Sequence, residues 1–336
     1  MSSAPCPQRL YGISDASRIG EVRRSAAEMA RAAGRNEADC NDIAIVVSEL
    51  ATNLLKHATD GAIIVGGIPG HRDAFEVIAI DRGPGIVDVE RCLDDGYSTT
   101  GSLGGGLGAA RRLADEFDIW STPSGTAVVA RFGDAAATPL RLGAICLPKQ
   151  GESVCGDAWS VRREPHATSL LVVDGLGHGE DAASAANQAI GAFHDDRSSD
   201  ARATLERIGE KLHGTRGAAA AVATVPDSGH VLFYCGVGNI SGLLESRGSA
   251  RGLVSGSGIV GAPVRRPQLF DYPLAEDALL VMHSDGLQTR WDLERYPGLQ
   301  NRHCTLIAAV LFRDYSRNRD DVTVVVAGLT GRSPDR

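Results

Sequence analysis

Four aspartates stand where hard-cation chemistry would need them. The stretch Leu170-Leu171-Val172-Val173-Asp174-Gly175-Leu176-Gly177-His178-Gly179 is an apolar run that ends in an acid, after which glycine recurs at alternate positions. Such a strand delivers one carboxylate to its tip and then clears side chains away. The device is repeated in Ala278-Leu279-Leu280-Val281-Met282-His283-Ser284-Asp285-Gly286. Asp157 follows Gly156 on a turn just before a strand, and Asp320-Asp321 precedes a last strand, Val322–Leu329. Acids at strand ends, without Cys or His clusters, suit oxygen-seeking cations such as Mg²⁺ or Mn²⁺. Two such ions roughly 3.5–4 Å apart share one hydroxide and present it in line to a phosphoryl group. A single strand–Asp–Gly turn is also ordinary hairpin chemistry. It is the recurrence that carries the reading.

A second constellation lies in the first half. Glu49, Thr52, Asn53 and Lys56 are spaced i, i+3, i+4 and i+7, which makes one polar edge on a helix. Glu49 and Asn53 are one turn apart, so both can address a metal–phosphate group, Asn as a neutral oxygen ligand and Glu as a base for a hydroxyl. The competing reading is a solvated helix face. Further on, Asp81-Arg82-Gly83-Pro84-Gly85-Ile86 offers a fixed carboxylate beside backbone that a planar ring can approach closely. The run from Asp94 to Gly108 is glycine-rich and leads into a helix, a good cradle for phosphates. It lacks G-K-[ST], so it is not a P-loop, and no strand directly precedes it as a dinucleotide fingerprint would require.

The elements that hold these groups follow from periodicity. Asp15 can cap a helix to about Ala33, with Ile19, Val22, Ala26 and Met29 on one face and Gly34 as the stop. A second helix is expected from Asn41 or Asp42, with Ile43, Val46, Val47, Leu50 and Leu54 as its buried stripe. Strands are expected at Ala62–Val65, Phe75–Ile80, Phe117–Trp120 and Ala127–Phe132, with a helix from about Leu107 and Gly125-Thr126 at a turn. The seam Gly133–Leu140 is small, polar and proline-marked. Beyond it, strands begin near Leu142, and helices are expected at about Glu180–Phe193 and Ala201–Leu212. Ala218–Val225, His230–Cys235 and Ser241–Leu244 read as one antiparallel sheet, with Gly236-Val237-Gly238-Asn239 as a hairpin turn.

Composition narrows the class. The chain has 336 residues, enough for two domains, with 43% hydrophobic and 23% charged residues, as in a globular protein. No apolar run approaches the ~20 residues of a membrane span, and no secretory signal is read at the start. The seven cysteines are scattered with no C-x-x-C pair, which argues against zinc and a disulfide framework and fits a reducing cytoplasm. Net charge is −8; residues 1–136 carry 13 basic and 19 acidic residues, giving −6, which leaves −2 for the rest. Neither half has the basic excess of a nucleic-acid binder.

E-L-x-x-N at Glu49–Asn53, D-x-G-x-G at Asp81–Gly85 and G-x-G-L-G at Gly104–Gly108 together resemble the GHKL ATPase and kinase superfamily. Asp94 to Phe117 is similar to the serine kinases of bacterial partner switches, of the stressosome type. The resemblance implies a Bergerat-type α/β sandwich that binds ATP with Mg²⁺. Asn53 would hold the Mg²⁺, Glu49 would activate the substrate hydroxyl, and Asp81 would accept the adenine amino group. Gly83, Gly85, Gly104, Gly106, Leu107 and Gly108 would shape the pocket, and Thr126 would support Asp81. No long helix with a phospho-acceptor His is present, which disfavours a histidine kinase.

The second-half pattern, C-G-D…V-V-D-G-L-G-H-G…H-S-D-G-L…R-D-D-V-T-V-V-V, resembles the metal-dependent serine/threonine phosphatases of the sporulation stage II E branch, in the short stressosome feedback form. The likeness implies an αββα sandwich with two Mn²⁺ or Mg²⁺ ions. Asp174 would bridge them, the Gly175 carbonyl and Asp157 would complete the first, and Asp285 and Asp320 would hold the second; the register of the Asp320-Asp321 pair stays open. Larger members place a His directly after the D-G pair, where this chain has Leu176, so His178 reads as structural. The whole is expected to be an α/β (α+β) chain, with a kinase domain over 1–136, a linker over 137–142 and a phosphatase domain over 143–330. Its partner would be a STAS-domain antagonist protein and its phosphorylated form, with an anti-sigma or sigma factor also in reach, and no nucleic acid or membrane. Two alternatives stay open: an anti-sigma factor fused to the phosphatase, or one half a catalytically silent binding module.

Overall fold

The computed structural model describes residues 8–69, 71–93, 106–133, 140–246, 249–262, 266–275 and 277–329, with the side chains of 71–73 excepted. The chain divides into two compact units, one of Gln8–Ala137 with Asn301–Arg313 and the other of Met1–Pro7, Thr138–Gln300 and Asp314–Arg336.

The unit of the first half contains β1 (Arg9–Gly12), α1 (Ala16–Ala32), α2 (Glu37–His57), β2 (Ala62–Ile68), β3 (His71–Ile80), α3 (Val89–Leu93), α4 (Gly106–Leu113), β4 (Glu116–Thr122) and β5 (Gly125–Phe132). Its sheet runs β1-β2-β3-β5-β4, antiparallel throughout. Asp15 caps α1 by accepting from the backbone N–H groups of Ser17 and Arg18. The helix expected from Asn41 or Asp42 starts earlier. Asn36 is the cap, accepting from Asp39 N, and Glu37 and Asp39 in the first turn favour the positive helix end. Cys40 then adds a turn to the buried stripe of Ile43, Val47, Leu50 and Leu54.

Strand alternation divides the sheet between two faces. Phe75, Val77, Ala79, Val128 and Ala130 join α1 and α2 in one core. Glu76 and Ile78 point the other way, yet they are buried too. Glu76 and Arg131 are cross-strand partners on β3 and β5 and form an ion pair at 2.8 Å. Thr305, within the 301–313 segment of the same unit, donates its hydroxyl to Glu76 Oε1 at 2.7 Å. That segment therefore completes a buried polar cluster that the strands alone would leave in water.

The other unit contains β6 (Arg141–Leu147), β7 (Asp157–Glu164), β8 (Ala167–Gly175), α5 (Glu180–Asp195), α6 (Ala201–Lys211), β9 (Ala218–Pro226), β10 (Val231–Val237), β11 (Ser241–Ser246), β12 (Ser249–Leu253), β13 (Leu269–Pro273), β14 (Leu279–His283) and β15 (Val322–Gly328). The helix α7 (Cys304–Tyr315), which precedes β15, groups with the first-half unit except for its last two residues. Two sheets form, β13-β10-β9-β8-β7 and β12-β11-β14-β15-β6. They are the sheets of the expected αββα sandwich, and β7 touches β15 and β6 of the other sheet. Helices α5 and α6 cover the first sheet, where Ala185, Ala186 and Ala189 let α5 approach Leu171 and Val173. Each buried Leu or Phe of this layer contributes about 1.5–3 kcal/mol.

The hairpin expected at Gly236–Asn239 does not form. β10 pairs with β9 and β13, whereas β11 pairs with β12 and β14 in the other sheet. The glycines bind a distant segment instead, through Gly238 N to Gly256 O and Gly256 N to Gly236 O. The chain thus uses this glycine run to pass between sheets. Among the described residues no helix is long and apolar enough to cross a membrane.

Candidate functional site

Asp157 is the first residue of β7 and Asp174 lies near the end of β8, and the antiparallel register sets them directly opposite. The pairing is closed beyond them by Gly175 N donating to Gly156 O. Burial, then the charges of Asp285, Asp320 and Asp321, push the Asp174 carboxyl up to about 7, while a hydrogen bond with Asp157 pulls it back. Burial and the neighbouring Asp174 also raise Asp157. The acids of four separate segments are therefore close enough to feel one another.

Two side chains that the sequence reading missed orient these acids. Ser284 Oγ donates to Asp157 Oδ2 at 2.6 Å, and Asn239 Nδ2 donates to Asp285 Oδ2 at 2.7 Å. Both had a signal, since Ser284 adjoins Asp285 and Asn239 closes the glycine run. The Asp320-Asp321 pair divides. Asp321 is 3% exposed, and its two oxygens accept from Lys149 N and Gly156 N at 2.8 and 2.9 Å. Asp320 is exposed and accepts from Asp321 N.

The glycine after each strand acid is a packing requirement. A Cβ on Gly175 would stand 2.3 Å from the Ala182 carbonyl oxygen, and one on Gly286 would stand 2.0 Å from that of Asp321. His178 Nδ1 lies 2.9 Å from Glu152 Oε1. Arg216 pairs with Asp181 at 2.6 Å.

Among the described residues no group of three or more His, Cys, Asp or Glu side chains is placed so that it could hold a metal ion. The donor chemistry nevertheless fits divalent cations. Carboxylates that raise one another's affinity for protons are equally a site for a metal that would replace those protons.

In the first-half unit, Asp81 follows β3 and is 8% exposed. Its Oδ1 accepts from Gly83 N at 2.7 Å and from Thr126 N at 3.2 Å. Burial raises its carboxyl, and those two bonds lower it in part. Thr126 thus supports Asp81 through its backbone, while its hydroxyl pairs with Ser121 Oγ at 2.9 Å. Ser121, unforeseen in the sequence, also accepts from Ile86 N, beyond the glycine turn. Gly85 has φ +76°, and a Cβ there would stand 2.1 Å from the Thr122 carbonyl oxygen. Within the same unit, Arg313 Nη1 donates to Asp81 O at 3.0 Å, and the Arg82 guanidinium donates to Arg313 O.

Glu49 and Asn53 are half-buried and one turn apart on α2, which packs against α4. Gly106 opens α4, with Leu107 and Gly108 buried in its first turn beside α2. Gly104 and the rest of the loop from Asp94 lie outside the described residues.

Two family models match the chain, the histidine kinase-like ATPase domain over residues 13–132 and stage II sporulation protein E (SpoIIE) over residues 164–330. The serine/threonine-protein kinase RsbT of Bacillus subtilis is 36% identical over 102 residues, which are 30% of this chain and 77% of RsbT. The phosphoserine phosphatase RsbX of the same organism is 27% identical over 146 residues, 42% of this chain and 71% of RsbX. A solved chain from work on the bacterial stressosome as a modular system superposes with TM-score 0.53 at 29% identity, covering 56% of this chain and 98% of its own. RsbX in complex with magnesium superposes with TM-score 0.51 at 23% identity, covering 57% and 96%, and supports the fold.

Proposed function

We propose, from the premise that this chain belongs to the histidine kinase-like ATPase family in its first part and to the SpoIIE family in its second, that it is a bifunctional partner-switching enzyme. Residues 1–136 are a serine/threonine kinase domain, 137–142 a linker, and 143–330 a phosphoserine/phosphothreonine phosphatase domain. Both act on a STAS-type antagonist protein. The scattered cysteines, with no C-x-x-C pair, support a reducing, cytoplasmic setting.

In the kinase domain Asp81 accepts the adenine amino group. Its Oδ1 is already held by backbone N–H groups, so the carboxylate is fixed before the base arrives. Asn53 would hold Mg²⁺, Glu49 would take the proton of the partner hydroxyl, and the backbone at the α4 N-terminus would receive the phosphates. In the phosphatase domain Asp174 would be shared by two divalent ions, one also held by Asp157 and the Gly175 carbonyl, the other by Asp285 and Asp320. When bound, the ions supply Lewis-acid activation of water and of the phosphoryl oxygens. Asp321 is committed to backbone N–H groups, which supports Asp320 as the ligand. Ser284 and Asn239 hold the carboxylates of Asp157 and Asp285 in orientation.

The observation that carries the phosphatase reading is the opposition of Asp157 and Asp174 across β7 and β8, with Asp285 and Asp320 felt at Asp174. Full-length protein with Mn²⁺ should hydrolyse a phosphoserine peptide, and Asp174→Asn should not. Equal hydrolysis by both proteins refutes the assignment.

A further inference from the structure

Cys146 on β6 and Cys155 before β7 bring their Sγ atoms to 3.9 Å. Both residues are half-buried. Cys146 is fixed on two sides, since Thr323 Oγ1 donates to its sulfur at 3.2 Å and the sulfur donates to Asp157 O at 3.8 Å. Cys155 begins the run Cys155-Gly156-Asp157, in which Gly156 N is held by Asp321 and Gly156 O by Gly175 N. The pair thus lies behind the acid cluster and is joined to it by backbone.

We propose that Cys146 and Cys155 are an oxidative modification site, a thiol pair that a peroxide converts to a disulfide and that thereby disables the neighbouring acid cluster. In the first step one sulfur attacks the O–O bond of the peroxide. A sulfenic acid forms, and water (or an alcohol, from an organic peroxide) leaves with the thiol proton. The second sulfur then attacks the sulfenic sulfur, the S–S bond forms, the S–O bond breaks, and the hydroxyl leaves as water with the second thiol proton. Two thiols lose two electrons in all, and one peroxide gains them. Bonding draws the sulfurs from 3.9 Å to about 2.05 Å. Cys146 sits within the β6–β15 ladder, opposite Thr323. The loop carrying Cys155 therefore moves, taking Gly156 and Asp157 out of register with Asp321 and Asp174.

The effect on activity rests on the phosphatase reading, whereas formation of the cross-link does not. Full-length protein is treated with hydrogen peroxide, digested without reduction, and analysed by mass spectrometry. The expected product joins peptide 142–149 to peptide 150–162, lighter by two hydrogens than the two together, and dithiothreitol removes it. In parallel, Mn²⁺ binding by calorimetry and phosphoserine-peptide hydrolysis should both fall by roughly tenfold or more in the oxidised protein and recover on reduction. Cys155→Ser should retain activity and resist peroxide. Absence of the joined peptides overturns the proposal. Its presence with unchanged Mn²⁺ binding overturns the disabling role. If neither form hydrolyses the peptide, the phosphatase reading fails, and the cross-link and its effect on Mn²⁺ binding still test this site.

Discussion

Asp157 and Asp174 face each other as cross-strand partners, and Asp157 Oδ2 is tied to Ser284 Oγ at 2.6 Å. One antiparallel register thus sets two carboxylates side by side, and a third strand end fixes how one of them points. Like charges directly opposite on neighbouring strands destabilise a sheet unless something neutralises them. On the proposed reading, bound cations supply that neutralisation, and in their absence the raised Asp174 and Asp157 carboxyls do so by holding protons.

Removing the Asp174 charge should separate stability from activity. Asp174→Asn is expected to lower phosphoserine-peptide hydrolysis by at least about 100-fold, since the ligand proposed to serve both ions is lost. The chelated variant should melt no lower than the chelated parent, because mutual repulsion is relieved. Calorimetry and a steady-state assay on one preparation check both.

The raised Asp174 carboxyl sets a pH signature. Its folded value is about 7 against an ordinary 3.8. Between those values the folded chelated protein holds a proton that the unfolded chain has released. Stability from this group is thus greatest at low pH and is lost as pH rises through about 7. Melting temperature of the chelated protein should fall from pH 5 to pH 8, Mn²⁺ should reverse the fall, and Mn²⁺ affinity should weaken as pH drops below about 7. Thermal scans across that range test the sign.

Asp320 and Asp321 should respond differently. Asp321→Ala leaves two backbone N–H groups without their acceptor and is expected to cost about 1–3 kcal/mol for each one that stays buried. Asp320→Asn should change stability by no more than about 0.5 kcal/mol while weakening Mn²⁺ binding. Denaturant titration and calorimetry distinguish them, and the opposite pattern would assign the ligand to Asp321.

Asp81→Asn should weaken ATP binding by roughly 10–100-fold, the cost of losing a charged acceptor. Preference for adenine over guanine should vanish with it. Asn53→Ala should instead abolish the dependence of binding on Mg²⁺. Calorimetry with ATP and GTP, with and without Mg²⁺, measures all of this.

Opposed activities in one chain act at high effective concentration on a shared partner. With ATP the parent protein should leave a STAS-domain partner partly phosphorylated, Asp174→Asn should drive it to completion, and Glu49→Ala should leave it unmodified. Intact-mass spectrometry over time reads each outcome, and dephosphorylation of a different residue from the one phosphorylated would refute the opposition.

Much of this protein was legible in its sequence, because local rules fix it. The apolar stripe of α2, the strand–Asp–Gly devices at Asp174 and Asp285, and the acid before Gly83 and Gly85 are set by periodicity and by what glycine permits. The start of α2 was misjudged because Asn36, Asn41 and Asp42 are all good caps, and the added turn of packing through Cys40 selects among them. The hairpin at Gly236–Asn239 failed for a different reason, since a glycine run permits a tight turn and a crossing equally, and strand pairing elsewhere decides. Only tertiary structure could set Asp157 against Asp174, bring Asn239 to Asp285, or give Asp321 to the N–H groups of Lys149 and Gly156. Those contacts join residues far apart in the chain, and periodicity carries no information about which distant partner closes a loop. The same holds for Thr305, a helix residue that sequence order assigns to the second half and that hydrogen bonding ties to Glu76 in the first-half unit. A buried Glu–Arg pair needs a third polar partner, and the folded chain supplies it from wherever the backbone returns.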